Sequence, residues 1–231
     1  MVRSGSALVL VADTARVLAA IPDEPLGREA DDRRARLRHA GDSADFTAAR
    51  LLAAVAHRAL TGAPLAAGDI VQRCDVCGGP HGRPLPSAVG IHLSWSHAHG
   101  RVAAAAALDR LGVDVDAPVR PSGALLAQTL SPTERRIVAA SADPDAAFLL
   151  AWTAKEALVK AGAADLDALA ALTVLAGDGE VVPRNGGLAV ACRRFSGSTA
   201  SAATPQPAQW RTIDDSGHLT PLPEGTVGGA A

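Results

Sequence analysis

The chain has two lysines, Lys155 and Lys160, and they lie on either side of Glu156 in the stretch AWTAKEALVKAGA. Every other side chain of the Lys and Arg classes is an arginine. A lysine ammonium is compact, rotatable and able to release a proton, whereas a guanidinium is planar and effectively always charged. The placement favours a site where an ammonium meets a charged group, and the alternative is chance in a composition rich in Ala and Arg.

Three carboxylates accompany the lysines. The stretch GVDVD places Asp114 and Asp116 two residues apart, so on a strand they share one face. Together with Glu156 they offer the oxygen ligands that Mg²⁺ takes alongside water and substrate phosphates. The alternatives are an acidic strand end facing solvent and an ordinary Glu–Lys pair on a surface helix, which contributes only a few tenths of a kcal/mol.

Two upstream stretches add polar side chains. HLSWSHAHG contains Ser96 and His97, and HGRP contains Arg83 in a turn rich in Gly and Pro. Neighbouring residues of a strand point to opposite faces, which disfavours a Ser–His nucleophile pair. A serine hydroxyl, a histidine and a bidentate guanidinium are instead suited to binding phosphate.

The stretch CDVCGGPH contains Cys74, Cys77 and His81. A structural zinc site needs four ligands, so a fourth would have to come from elsewhere. The candidates are three downstream histidines: His92, His97 and His99. Three cysteines, an odd number, do not indicate a disulfide framework.

Strands and two long helices are expected to position these residues. SALVLVADT predicts a first strand, and the charged stretch after it predicts a turn and a short solvated helix. A long helix is predicted to be capped by Asp42 or Ser43 and to end at Gly62. A second is predicted to be capped by Asp143, with Pro144 in its first turn and Gly162 at its end. GLAVACRRF and AQWRTIDD predict further strands.

The run RVAAAAALDRLGVDVD is ambiguous. Alanine propensity favours a helix over residues 101–108. The flanking Gly100 and the turn-like LDRLG equally allow two short strands, of which the second is LGVDVD.

Composition limits the class of protein. The chain has 231 residues, 48% hydrophobic residues and 3% aromatic residues, so its core rests on aliphatic side chains. A net charge of −2 does not favour nucleic acid or an anionic membrane as a partner. The short apolar run at the start contains Asp13 and Arg16, so we expect no signal peptide, and no apolar run is long enough to span a membrane. We expect a cytoplasmic monomer.

In combination, the four stretches resemble the 4′-phosphopantetheinyl transferases of the surfactin-synthetase type. That family typically has a His-Gly-Lys/Arg-Pro turn, a Ser-His pair, a Gly-x-Asp-x-Glu strand and a Trp-x-x-Lys-Glu-Ala-x-x-Lys helix. Here the same order runs from His81 through Ser96-His97 and GVDVD to the helical motif from Trp152 to Lys160. The similarity extends over residues 30–195.

The resemblance implies an α+β fold of two similar halves related by a pseudo-twofold axis, with the active site in the cleft between them. It favours strand for the alanine-rich run. We expect an N-terminal half at residues 1–110, a C-terminal half at 111–220 and a disordered tail at 221–231. The implied reaction transfers 4′-phosphopantetheine from coenzyme A to a serine of an apo carrier protein. The carrier would belong to a peptide synthetase, a polyketide synthase or a fatty acid synthase.

The resemblance also implies roles for individual residues. Mg²⁺ would be held by Asp114, Asp116 and Glu156, where Asp116 replaces the commoner Glu and so reaches less far. The predicted contacts to coenzyme A come from basic and polar side chains: Arg34, Arg36, Arg50, Arg83, Ser96, His97, Lys155 and Lys160. Lys155 would assist the leaving group, and Glu134 or Glu156 would accept the serine proton.

Two other functions remain open at the level of sequence. One is a non-catalytic zinc-binding module built on Cys74, Cys77 and His81. The other is a Mg²⁺-dependent phosphohydrolase that uses the same three carboxylates.

Overall fold

The computed structural model describes residues 7–74, 77–85 and 90–222. The strands, in chain order, are β1 (Ala7–Asp13), β2 (Val71–Arg73), β3 (Arg83–Leu85), β4 (His92–Ala98), β5 (Arg101–Ala107), β6 (Gly112–Asp116), β7 (Arg184–Asn185), β8 (Leu188–Phe195), β9 (Ser198–Thr204), β10 (Gln209–Ile213) and β11 (Leu219–Pro221). The α-helices are α1 (Thr14–Ala20), α2 (Arg28–Arg34), α3 (Ala40–Thr61), α4 (Gly123–Thr129), α5 (Pro132–Ala140) and α6 (Pro144–Lys160). The fold class is therefore α+β, as the sequence predicts.

The strands form two main sheets and a hairpin. The five-stranded sheet has the order β11-β10-β1-β5-β4, the four-stranded sheet has the order β6-β9-β8-β7, and β2 pairs with β3. β1 pairs antiparallel with β5 and parallel with β10, so a strand from the end of the chain completes the sheet that contains its beginning.

A long helix covers one face of each main sheet, and the two sheets pack against each other through their remaining faces. α3 packs on the face of the first sheet that carries Leu8, Leu10 and Ala104. The opposite face of that sheet meets the inner face of the second sheet, and α6 covers the outer face. The order of the layers is thus α3, first sheet, second sheet, α6.

This layering explains the alanine-rich run. β5 lies between two neighbours in its sheet, and its residues are buried on both faces: Ala104 and Ala106 against α3, Ala103 and Ala105 against the second sheet. The strand reading is confirmed, and the helical reading that alanine propensity favours is wrong. Tertiary packing outweighs a propensity difference of below 1 kcal/mol per residue.

Other predicted boundaries are partly confirmed. α3 ends before Gly62 and α6 is capped by Asp143, whose side chain accepts from the Ala146 N–H at 3.0 Å. α3 begins at Ala40 after His39, so capping by Asp42 or Ser43 is wrong. The predicted disordered tail starts too early, since Pro221 belongs to β11, and residues 223–231 lie outside the described part.

Serine hydroxyls join β4 and β6, which are edge strands of the two stacked sheets. The Ser94 hydroxyl accepts from the Val113 N–H at 3.1 Å, and the Ser96 hydroxyl donates to Asp114 Oδ1 at 2.7 Å. Ser96, which is predicted to bind phosphate, therefore also helps to join the first sheet to the second, and Ser94 does the same.

Candidate active site

The acidic residues of β6 face α6. Val113 and Val115 point into the core between the sheets, so period-2 alternation turns Asp114 and Asp116 to the opposite face. Gly112 starts this strand because no side chain fits there. A Cβ would lie 2.0 Å from the carbonyl oxygen of Ala157 and 2.6 Å from the Ala161 nitrogen. Close contact with Gly112 therefore fixes the end of α6 against β6.

A stripe of α6 meets these aspartates. Trp152, Glu156 and Lys160 follow one another at a spacing of four residues and share one side of the helix. The Trp152 indole donates from Nε1 to Asp116 Oδ2 at 3.1 Å, and Lys160 Nζ donates to Asp114 Oδ1 at 2.7 Å. Trp152 and Lys160, the first and last residues of the stripe, thus each donate a hydrogen bond to one of the two aspartates.

Negative charge accumulates between β6 and α6. Burial raises the pKa of Glu156 above its ordinary value, Asp114 and Asp116 raise it further, and Lys160 opposes the shift. Asp114 and Asp116 are therefore close enough to repel the Glu156 carboxylate, and the Lys160 ammonium partly balances this negative charge. Although the three lie in the described part of the structure, their oxygen atoms are not all within 4.8 Å of one another.

This donor set suits a hard divalent cation. Oxygen ligands from carboxylates, completed by water or phosphate oxygens, are what Mg²⁺ takes in proteins. Burial is the main cause of the raised pKa of Glu156, and a cation would relieve the carboxylate repulsion that adds to it. Asp114, Asp116 and Glu156 are the residues that would hold it.

Ser96 and Arg83 reach the same region from the first half of the chain. Ser96 shares Asp114 Oδ1 with Lys160. Arg83 lies against the turn that ends α6, because a Cβ on Gly162 would be 2.4 Å from Arg83 Nη2. Gly162 has φ +73° there, a conformation that disfavours other residues. Arg83 and Lys160 thus border one end of the helix.

His97 faces the other side of β4, toward α3. Burial lowers the pKa of His97, with Asp45 opposing the shift and Arg50 and Lys160 adding to it. Burial therefore favours the neutral imidazole, whose one N–H group can donate a hydrogen bond to a phosphate oxygen.

Arg50 is buried between two aromatic rings. Its guanidinium carbon lies 3.4 Å from the Phe46 ring centroid and 4.9 Å from that of Trp95. It donates to the Phe46 carbonyl at 3.0 Å and to Gln72 Oε1 at 2.8 Å. Burial, followed by repulsion from Arg33, lowers the pKa of Arg50 to about 9.

The other predicted arginines are arranged differently. Arg34 pairs with Asp31 at 3.0 Å on α2, and Arg36 is exposed. Arg33, which the sequence reading did not select, lies 5.6 Å above the Phe46 ring and lines a cavity of about 150 Å³ with Arg28 and Arg50. The run DDRRARLR contains Arg33, but only the packing of α2 over Phe46 distinguishes it from its neighbours.

Lys155 and Glu134 form a separate, fully buried pair. Lys155 Nζ donates to Glu134 Oε2 at 2.6 Å and to the backbone carbonyls of Thr129, Leu169 and Leu172. Burial would raise the pKa of Glu134, but hydrogen bonds from Lys155 and from the backbone N–H groups of Val174 and Ser131 bring it below its ordinary value. Glu134 is therefore ionised at neutral pH.

This placement corrects two predicted roles. Residues 155 and 156 point about 100° apart on a helix, so Lys155 faces the interior while Glu156 faces β6. An ammonium has three N–H donors, and four acceptors already surround that of Lys155. The structure thus does not bring Lys155 or Glu134 to the acidic cluster, and their predicted parts in leaving-group assistance and proton transfer do not agree with it.

Among the helices of the described residues, none combines the length and the apolar character needed to cross a membrane.

Comparisons with known proteins give one match, to a family model. Comparison with curated proteins gives no significant match. Residues 110–183, which contain β6 and α4 to α6, match the model of the 4′-phosphopantetheinyl transferase superfamily. This match supports a relationship to that superfamily for the segment that carries all three clustered carboxylates and Lys160.

Proposed function

We propose that the protein transfers the 4′-phosphopantetheine group of coenzyme A to a serine of an apo carrier protein in a Mg²⁺-dependent reaction. The observation that carries the proposal is the cluster of Asp114, Asp116 and Glu156 beside Lys160, inside the segment that matches the transferase superfamily.

In this reaction the carrier serine oxygen forms a bond to the β-phosphorus of coenzyme A. The bond from that phosphorus to the oxygen of the leaving adenosine 3′,5′-bisphosphate breaks, and the serine proton passes to a carboxylate base. The nucleophile belongs to the carrier, so the protein needs no activated serine of its own. Phosphoryl transfer then depends mainly on positioning and on charge stabilisation.

The residues divide these tasks by position. Mg²⁺ bound by Asp114, Asp116 and Glu156 would supply a positive charge that stabilises the pyrophosphate oxygens. Lys160 and Arg83 flank the end of α6, where they bind and orient the pyrophosphate. Of the two candidate bases, Glu156 faces the cluster and Glu134 does not.

The first half of the chain would bind the nucleotide end. Arg33 and Arg50 present positive charge around Phe46, next to His97. Guanidinium groups bind phosphate bidentately and stack on aromatic faces. In coenzyme A, the 3′-phosphate offers the phosphate group for bidentate binding, and the adenine offers the aromatic face for stacking.

Mass spectrometry of apo carriers tests the proposal. A panel of apo carriers from peptide, polyketide and fatty acid synthases is incubated with coenzyme A and Mg²⁺, with Asp114→Asn as the matched control. We expect a mass gain equal to one phosphopantetheine on at least one carrier, and none with the variant. No gain on any carrier contradicts the proposal, and consumption of coenzyme A without a carrier would favour the phosphohydrolase.

A further inference from the structure

A second cluster of potential ligands lies in the turn between β2 and β3. The sulfur atoms of Cys74 and Cys77 and one ring nitrogen of His81 all lie within 4.8 Å of one another. Cys77 Sγ is 3.1 Å from His81 Nε2. No fourth histidine, cysteine or acid of the described residues joins this group, so the predicted contributions of His92, His97 and His99 are not found.

The backbone of the turn is shaped to bring these side chains together. The Gly78 N–H donates to the Cys74 carbonyl at 2.9 Å, and the Cys74 N–H donates to the Gly79 carbonyl at 3.0 Å. A Cβ on Gly79 would lie 3.2 Å from the His81 ring and 3.3 Å from Cys77 Sγ. Glycine at this position leaves the space into which the two side chains fold.

The chemistry of the three atoms matches zinc. Bonds of about 2.3 Å to sulfur and about 2.0–2.1 Å to nitrogen put tetrahedral ligands roughly 3.5–3.8 Å apart. Structural zinc sites usually have four protein ligands, so water would occupy the fourth position here, as it does in zinc sites with three protein ligands. Cys77 Sγ and His81 Nε2, which are 3.1 Å apart, would separate by about half an ångström to reach this spacing. The other pairs of ligand atoms lie within 4.8 Å of each other. We propose that Cys74, Cys77 and His81 form a zinc site that holds the β2–β3 hairpin in place.

The hairpin needs such a constraint and connects to the phosphate-binding residues. It has only two short strands, and Val71 and Leu85 are exposed, so little apolar burial stabilises it. Gln72 accepts from Arg50, and Arg83 begins β3 directly after the turn. By holding the hairpin in place, zinc would help to position Arg50 and Arg83. The zinc site itself is distinct from the acidic cluster.

Metal analysis of the reduced, full-length protein tests this inference independently of any transferase activity. After zinc loading and removal of excess metal, we expect about one zinc ion per chain. Cobalt replacement should give a sulfur-to-cobalt charge-transfer band together with the absorption of tetrahedral Co²⁺. Cys77→Ser and His81→Ala should each lower zinc affinity by tenfold or more.

Cys192→Ser is the matched control because this cysteine lies on β8, and burial raises its pKa to about 11. It should retain the zinc and the cobalt band. Hydrogen exchange gives a second readout: amides of β2 and β3 should be protected up to roughly 100-fold at zinc concentrations 100 times Kd. Absence of stoichiometric zinc and of the charge-transfer band in the reduced parent protein overturns the proposal.

Discussion

The two lysines of α6 lie in opposite environments although little more than one turn separates them. The Lys155 side chain is 0% exposed and pairs with a Glu134 side chain that is also 0% exposed. The Lys160 side chain is 30% exposed and pairs with Asp114 beside two further carboxylates. A lysine with every donor satisfied stabilises the fold, whereas one at the border of unbalanced negative charge can bind a ligand.

The difference shows that a shared motif does not give its residues a shared role. Both lysines fit the resemblance, and both were expected to contact coenzyme A. The helical register turns one inward and the other toward β6. The two environments should therefore respond differently to substitution.

The largest effect is expected from Lys155→Met. The substitution leaves the Glu134 carboxylate buried without its cation, which costs about 3–5 kcal/mol of unfolding free energy. Lys160→Met removes a partly exposed pair and should cost about 1 kcal/mol or less. Urea unfolding of the two variants measures this contrast, and equal losses would show that the two environments do not differ as described.

Gly112→Ala tests the contact that positions α6. The added Cβ would collide with the Ala157 carbonyl at 2.0 Å, so the end of the helix must move away from β6. We expect a loss of about 1–3 kcal/mol from overpacking, together with weaker transfer, because Lys160 and Asp114 separate. Gly123→Ala is the control, since a Cβ there meets nothing within 4 Å. If the two substitutions behave alike, close packing at Gly112 is not what holds α6.

The pH dependence of stability distinguishes the buried pair. The pKa of Glu134 is held below its ordinary value, so its contribution is complete above the unfolded pKa of about 4.3 and is lost as pH falls through the folded pKa. The difference in unfolding free energy between the parent and Glu134→Gln should be full at pH 7 and should narrow below about pH 4. A difference that widens on acidification is inconsistent with an ionised Glu134.

The smallest effect is expected from Asp116→Glu. This substitution restores the residue commoner in the resembling family and keeps a carboxylate near the Trp152 indole. Transfer should change by less than about tenfold, or 1.4 kcal/mol in the barrier. Asp116→Asn keeps the shape but removes the charge and should be slower. The reverse order of the two rates would show that the charge of Asp116 is not used.

The sequence predicted those features that local patterns determine. Alternation was sufficient to place Asp114 and Asp116 on one face of a strand, and the i,i+4 spacing placed Glu156 and Lys160 on one face of a helix. The resemblance to the family brought the two elements together. The burial of Lys155 depends on carbonyls of Thr129, Leu169 and Leu172, which come from loops distant in the chain. The choice of Arg33 depends on the packing of α2 over Phe46. Neither contact has a local signature.

The most direct test of the account compares two matched substitutions, Glu156→Gln and Glu134→Gln, by turnover per folded molecule and by unfolding free energy. Glu156→Gln should lower carrier modification by on the order of 10²-fold or more while leaving stability unchanged or higher, because it removes a repelled charge. Glu134→Gln should lower stability while each folded molecule keeps near-parental turnover. Near-parental turnover in Glu156→Gln, or a stable Glu134→Gln protein without activity, would contradict the assignment of the active site to the cluster between β6 and α6.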